Sequence, residues 1–150
     1  MRPVPFTLAN YPDFMSNYSL SNRTILCIDD DADDLQMLRE AIASISHDYT
    51  IREAYDGLSG LATLQHMKTV NQLPCLIVMD INMPRMDGKQ AFVKLQEDPI
   101  LSNIPIVIFS TSSSPLDKMF FQHKGVEFMT KPIVFEQLVD TAEKLLSMCA

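Results

Sequence analysis

The sequence predicts an α/β fold with a doubly wound, five-stranded parallel sheet, and three observations predict it. Short apolar runs alternate with amphipathic stretches from Thr24 onward. Two of those runs, CLIVM and IPIVIF, are apolar without alternation, as strands covered on both faces must be. The amphipathic stretches between the runs are long enough to be the crossovers that parallel strands require.

Each element has its own justification. TILCI is the first strand, and the helix over 32–45 carries Leu35, Leu38, Ile42 and Ile45 as a core stripe. YTIREA is the second strand, and the helix over 58–67 follows it. CLIVM is a buried strand, Gly88 serves the turn after it, and the helix over 88–96 comes next. IPIVIF is the fourth strand. The helix over 115–124 opens with Ser114 as N-cap, Pro115 at the first helical position and Asp117 complementing the helix dipole. Met119, Phe120 and Phe121 differ by about 100° in direction, so this helix exposes an apolar side chain. VEFM is the fifth strand. The helix over 133–148 has Phe135, Leu138, Val139, Ala142, Leu145 and Leu146 on its core stripe, which completes a (βα)5 arrangement.

The length of 150 residues suits one domain, and 47% apolar residues suffice for a core without a metal or disulfide scaffold. A net charge of −7 disfavours direct binding to nucleic acid. Cys27, Cys75 and Cys149 form no zinc-type spacing and read as reduced thiols. Residues 1–22 show no periodicity and read as a flexible extension ahead of a domain at 23–150, with Met15 a second candidate start. No stretch approaches the ~18 apolar residues of a membrane span, and no secretory h-region is present, which predicts a cytoplasmic protein.

In open parallel sheets ligands bind beyond the carboxyl ends of the strands. There stand Asp29 and Asp30, then Asp80, then Ser110 and Thr111, then Thr130, Lys131 and Pro132. Asp31, Asp33 and Asp34 read as a solvated face complementing the start of a helix. Asp29 and Asp30 directly end a buried strand and so face Asp80. Three clustered carboxylates repel one another unless a cation neutralises them, and hard oxygen donors suit Mg2+. Asp80, at the centre, is the candidate nucleophile toward phosphorus. Lys131 in isolation reads as a surface lysine before a turn, but here it and Ser110 can face the phosphoryl oxygens.

The motifs ILCIDDD, MDINMPRMDG, IPIVIFSTSS and FMTKP, in this order over about residues 23 to 148, resemble the receiver domain of two-component response regulators. The resemblance implies a flavodoxin-like fold with strand order 2-1-3-4-5. It implies Asp80 as phosphoacceptor, Asp29 and Asp30 as the acidic pair, and Asn82 as a metal ligand through its backbone carbonyl. It also implies Lys131 as the site lysine, Ser110 rather than Thr111 as the switch hydroxyl, and Phe128 as the switch aromatic, although Phe128 also reads as core. The Lys131–Pro132 bond is expected to be cis, aiming the ammonium at Asp80.

The function so implied is that of a stand-alone response regulator, a phosphoacceptor rather than an enzyme on a separate substrate. A histidine kinase, of phytochrome or hybrid type, or a phosphotransfer protein donates the phosphoryl group. Only 18 residues follow Pro132, so a separate downstream protein or a homodimer carries the signal, through the face formed by 115–124, 126–129 and the start of the last helix. The alternative is a Mg2+-dependent phosphohydrolase with an aspartyl-phosphate intermediate. Such haloacid-dehalogenase-like enzymes place a second Asp where this chain has Asn82, which cannot exchange a proton. A flavin module is disfavoured because DDDADD would repel its phosphate.

Overall fold

The computed structural model describes residues 23–149, so the expectations for residues 1–22 lie outside the described residues. The elements run β1 (Thr24–Ile28), α1 (Ala32–Ile45), β2 (Thr50–Ala54), α2 (Gly57–Thr69), β3 (Leu76–Met79) and α3 (Gly88–Gln96). A 3-10 turn at Leu101–Asn103 leads to β4 (Ile106–Ser110), α4 (Pro115–His123), β5 (Glu127–Thr130) and α5 (Phe135–Met148). All strand pairs are parallel, in the order β2-β1-β3-β4-β5.

Alternation along each strand divides the core into two layers. Ile25, Cys27, Val78, Val107 and Phe109 face α1 and α5, whereas Leu26, Ile28, Ile77, Met79 and Ile108 face the layer that holds Leu64, Leu95 and Phe121. Every residue of β3 and β4 is buried, which explains their unbroken apolar sequences. β2 and β5 are the edges and are only partly covered.

Three expectations need correction. Ile45 and Phe135 are 37% and 38% exposed, because each is the terminal residue of its helix and overhangs the layer beneath. α5 starts at Phe135 rather than 133, since Val134 is the extended N-cap residue and Ile133 lies in the connection, 94% exposed. Cys75 and Cys149 are not reduced thiols but form a disulfide. Cys75 precedes β3 and Cys149 closes α5, and both lie in the same core layer, so packing brings together residues 74 apart in sequence. Cys27 is free, and burial pushes its thiol up to about 12, which leaves it inert at neutral pH. Among the described residues no helix is long and apolar enough to cross a membrane.

Candidate functional site

The chain leaves β1 for β2 on one side and pairs β1 with β3 on the other, so a crevice opens beyond the carboxyl ends of β1 and β3. The parallel ladder continues one rung past each strand and fixes the two acids there. The Asp29 N–H donates to Ala54 O at 3.0 Å, and the Asp80 N–H donates to Ile28 O at 2.9 Å. Asp29 Oδ1 accepts from the Asp31 N–H at 2.9 Å, and Asp80 Oδ1 accepts from the Ile81 N–H at 2.7 Å. Each carboxylate thus keeps its second oxygen for the crevice. Asp30, exposed, joins them: one carboxylate oxygen from each of Asp29, Asp30 and Asp80 lies within 4.8 Å of the others.

Lys131 enters from β5. Its N–H continues the ladder to Ser110 O at 2.9 Å, and its Nζ donates to Asp29 Oδ2 at 2.6 Å, Asp34 Oδ2 at 2.7 Å and Asp80 Oδ2 at 2.9 Å. An ammonium has three N–H donors, and all three are used. Burial opposes its charge, but the three carboxylates outweigh that and hold Lys131 above the ordinary lysine range. Burial likewise pushes the Asp29 carboxyl up to about 6, against the Lys131 hydrogen bond that pulls it down. The described residues contain no cis peptide bond, so the expected cis Lys131–Pro132 bond is trans. The four-carbon lysine stem reaches Asp80 from that backbone, and the aim comes from the side chain.

The loop after β3 is held from two directions. The Gly88 N–H donates to Ile81 O at 2.7 Å, and a Cβ at position 88 would stand 2.3 Å from the Asp80 carbonyl oxygen, so only glycine fits. On the other side the Gly57 N–H donates to Met86 O at 2.9 Å. Arg85, at φ 65, sends Nε to Asp56 Oδ2 at 2.8 Å and Nη2 to Ser59 Oγ at 3.0 Å. Arg85 lowers the Asp56 carboxyl to about 2. Asp56 also caps α2 through the Ser59 N–H.

Ser110 is buried at the end of β4, and its Oγ accepts from the Ser112 N–H at 3.1 Å. The Ser112 hydroxyl donates to Asp117 Oδ2 at 2.7 Å, and Asp117 Oδ1 pairs with Lys89 Nζ at 2.6 Å. Lys89, with Ser112, holds the Asp117 carboxyl below its ordinary value. Thr111 is exposed, as is Asn82 in the β3–α3 loop. Phe128 is half-buried, 6.4 Å from the Phe121 ring, with the Lys118 ammonium 5.8 Å from its centroid.

Asp29, Asp30, Asp80 and Lys131 therefore meet at one point, with Ser110 on the adjoining strand end. The donor set fits a hard divalent cation: three carboxylates converge, and the exposed one leaves room for the waters that Mg2+ retains. Sequence reasoning missed Asp34, assigned to a solvated face, and also Asp56, Arg85 and Lys89. Asp56 stands two residues beyond β2, so inspecting that strand end as well would have found it.

Residues 25–143 match the model of the response regulator receiver domain. Response regulator Rcp1 of Synechocystis is 30% identical over 105 residues, covering 69% of this chain and 71% of that protein. Protein PilH of Pseudomonas aeruginosa is 30% identical over 124 residues, 82% of this chain and 97% of that protein. A crystal structure of the Mn2+-bound form of Rcp1 has a TM-score of 0.73 at 26% identity, covering 83% of this chain and 92% of that one. The phosphorylated cyanobacterial phytochrome response regulator RcpA gives a TM-score of 0.73 at 26% identity, over 82% and 90%. With its strand order and motifs in agreement, the chain belongs to the response regulator receiver domain family.

Proposed function

We propose that this protein is a response regulator that takes a phosphoryl group from a histidine kinase onto Asp80, with Mg2+ held by Asp29, Asp30, Asp80 and the Asn82 carbonyl. The single observation that carries the reading is Asp80 Oδ2 facing Lys131 Nζ at 2.9 Å at the centre of a carboxylate cluster beyond β3. The Mn2+-bound form of Rcp1 and the phosphorylated form of RcpA support it by similarity.

In the reaction an Asp80 oxygen attacks phosphorus of a phosphohistidine, the O–P bond forms, the P–N bond breaks, and the imidazole leaves with the electron pair. Mg2+, if held by these carboxylates, would supply positive charge against the charge of the phosphoryl group. Lys131 neutralises charge on the same group, and the Ser110 hydroxyl, once turned from the Ser112 amide, donates to another oxygen. Water later cleaves the acyl phosphate and restores Asp80. Movement of Ser110 draws the β4–α4 loop and makes room for Phe128 to turn inward. The exposed Leu116 and Met119 on α4 and Ile133 and Val134 before α5 then mark where a downstream protein or a second copy docks. The donor is a sensor kinase of phytochrome or hybrid type or a phosphotransfer protein, and the setting is the cytoplasm.

Incubation with Mg2+ and acetyl phosphate, followed by intact-mass analysis, tests the reading. The protein is expected to gain one phosphoryl group, and Asp80→Asn none. An unlabelled wild type, or undiminished labelling of Asp80→Asn, would refute it.

A further inference from the structure

Lys131 has three carboxylate partners, and they stand in different relations to the chemistry. Asp29 and Asp80 belong to the cluster able to hold a cation, whereas Asp34 does not. Asp34 lies in the first turn of α1, and its N–H donates to the Asp31 side chain at 3.1 Å, which fixes that turn. Its Oδ2 reaches Lys131 Nζ at 2.7 Å across 97 residues of sequence. The Asp34 side chain is 38% exposed, against 9% for Asp29 and 11% for Asp80.

We infer that Asp34 is a positioning residue that anchors Lys131 while the lysine's other two partners change state. This rests on the reading of Asp80 as phosphoacceptor. A cation on the cluster draws on Asp29 and Asp80, and phosphoryl transfer turns the Asp80 carboxylate into an acyl phosphate. Both events weaken the hold of these two carboxylates on the ammonium. Asp34 lies outside the cluster, takes part in neither event, and sits on a helix turn capped by Asp31. It therefore holds Nζ where the phosphoryl oxygens arrive, and a long, rotamer-rich side chain without that anchor would lose its alignment. A solvated dipole-complementing role, the ordinary one for an acid in a first turn, would leave Lys131 indifferent to it.

The test compares full-length wild type, Asp34→Ala, Asp34→Asn, Lys131→Ala and the Asp34→Ala, Lys131→Ala double variant. Two measurements are made: the phosphorylation rate by acetyl phosphate at saturating Mg2+, and Mg2+ affinity from amide NMR shifts of the β3–α3 loop. Asp34→Ala is expected to slow phosphorylation by about tenfold, with Mg2+ half-saturation essentially unchanged. Asp34→Asn, which keeps an acceptor but no charge, should fall between the two. In the Lys131→Ala background Asp34→Ala should change nothing, because its effect passes through the lysine. A wild-type rate for Asp34→Ala would overturn the inference, and so would equal slowing in both backgrounds or slowing wholly explained by weaker Mg2+ binding. The Asn variant preserves side-chain shape and keeps the test decisive if Ala disturbs α1. A wild type that takes no phosphoryl group while Mg2+ still shifts the β3–α3 amides would overturn the parent reading and this inference with it. A phosphorylated wild type with indifferent Asp34 variants would sink this inference alone.

Discussion

The two sides of the crevice are built from different interactions. On the side of β1, β3 and β5, one ammonium ties together three carboxylates over distances of 2.6 to 2.9 Å, and Lys131, Asp29 and Asp80 are all nearly out of contact with solvent. On the side of β4, the Ser110 hydroxyl is the first of a string of contacts that runs through the Ser112 amide, the Ser112 hydroxyl and Asp117 to Lys89 on α3. The first is a charge knot in a low-dielectric setting, where each contact is strong and any orphaned partner is costly. The second is a string of contacts nearer the surface, each worth on the order of 1 kcal/mol and broken by a small displacement. On the proposed function, the knot would suit fixed charges that hold still during phosphoryl transfer. The string would suit a loop that moves afterwards.

Cutting the knot should give the largest effect. Lys131→Ala leaves three carboxylates around an empty position, so without Mg2+ the protein is expected to lose stability, on the order of 3 kcal/mol for a broken buried pair. Mg2+ should raise the melting temperature of this variant more than that of wild type, because the cation replaces the missing charge. Equal Mg2+ responses in the two proteins would mean that the knot and the cation do not share these carboxylates. Cutting the string should do less. Lys89→Ala is expected to cost under about 1 kcal/mol and leave Mg2+ affinity alone. It should nonetheless speed amide exchange in residues 111–118, and unchanged exchange there would show that the string does not restrain the loop.

Acid separates the two sides by a smaller effect still. Asp117 is held below the ordinary carboxylate value by Lys89 and Ser112. Its folded value lies below its unfolded one, so its contribution to stability is present above an unfolded pKa of about 3.9 and is lost as pH falls through the lowered folded value. The Ser112 and Ser114 amide shifts should therefore follow acid titration with a midpoint below that of an unperturbed aspartate. A midpoint at the unperturbed value would leave no role for the Lys89 pair.

The sequence made the sheet legible because β3 and β4 are buried on both faces, so burial leaves no polar position in either run to obscure the pattern. It made Asp29, Asp30, Asp80, Ser110 and Lys131 legible because each ends a strand or lies within two residues of its end, and the position of a strand end is set by its own run. Asp34 was not legible. Its local setting, a capped first turn, already accounts for an acid there, and only the folded β5–α5 connection delivers a lysine to it. Cys75 and Cys149 meet through packing of α5 on the sheet, which no local pattern encodes. Ile45 and Phe135 fit helical stripes whose ends reach past the layer they cover.

The Lys131 N–H is hydrogen-bonded to the Ser110 carbonyl at 2.9 Å, and that bond has a mechanical consequence. The lysine and the hydroxyl sit on neighbouring rungs of one ladder, so backbone motion at this point carries both together. On the proposed function, the side of the crevice that offers Lys131 and Ser110 to a phosphoryl group would thus move as one piece. Phosphodonors of different bulk, from a small acyl phosphate to a histidine on a partner protein, would then be accommodated by side-chain rotation or at the exposed Asp30 and Asn82.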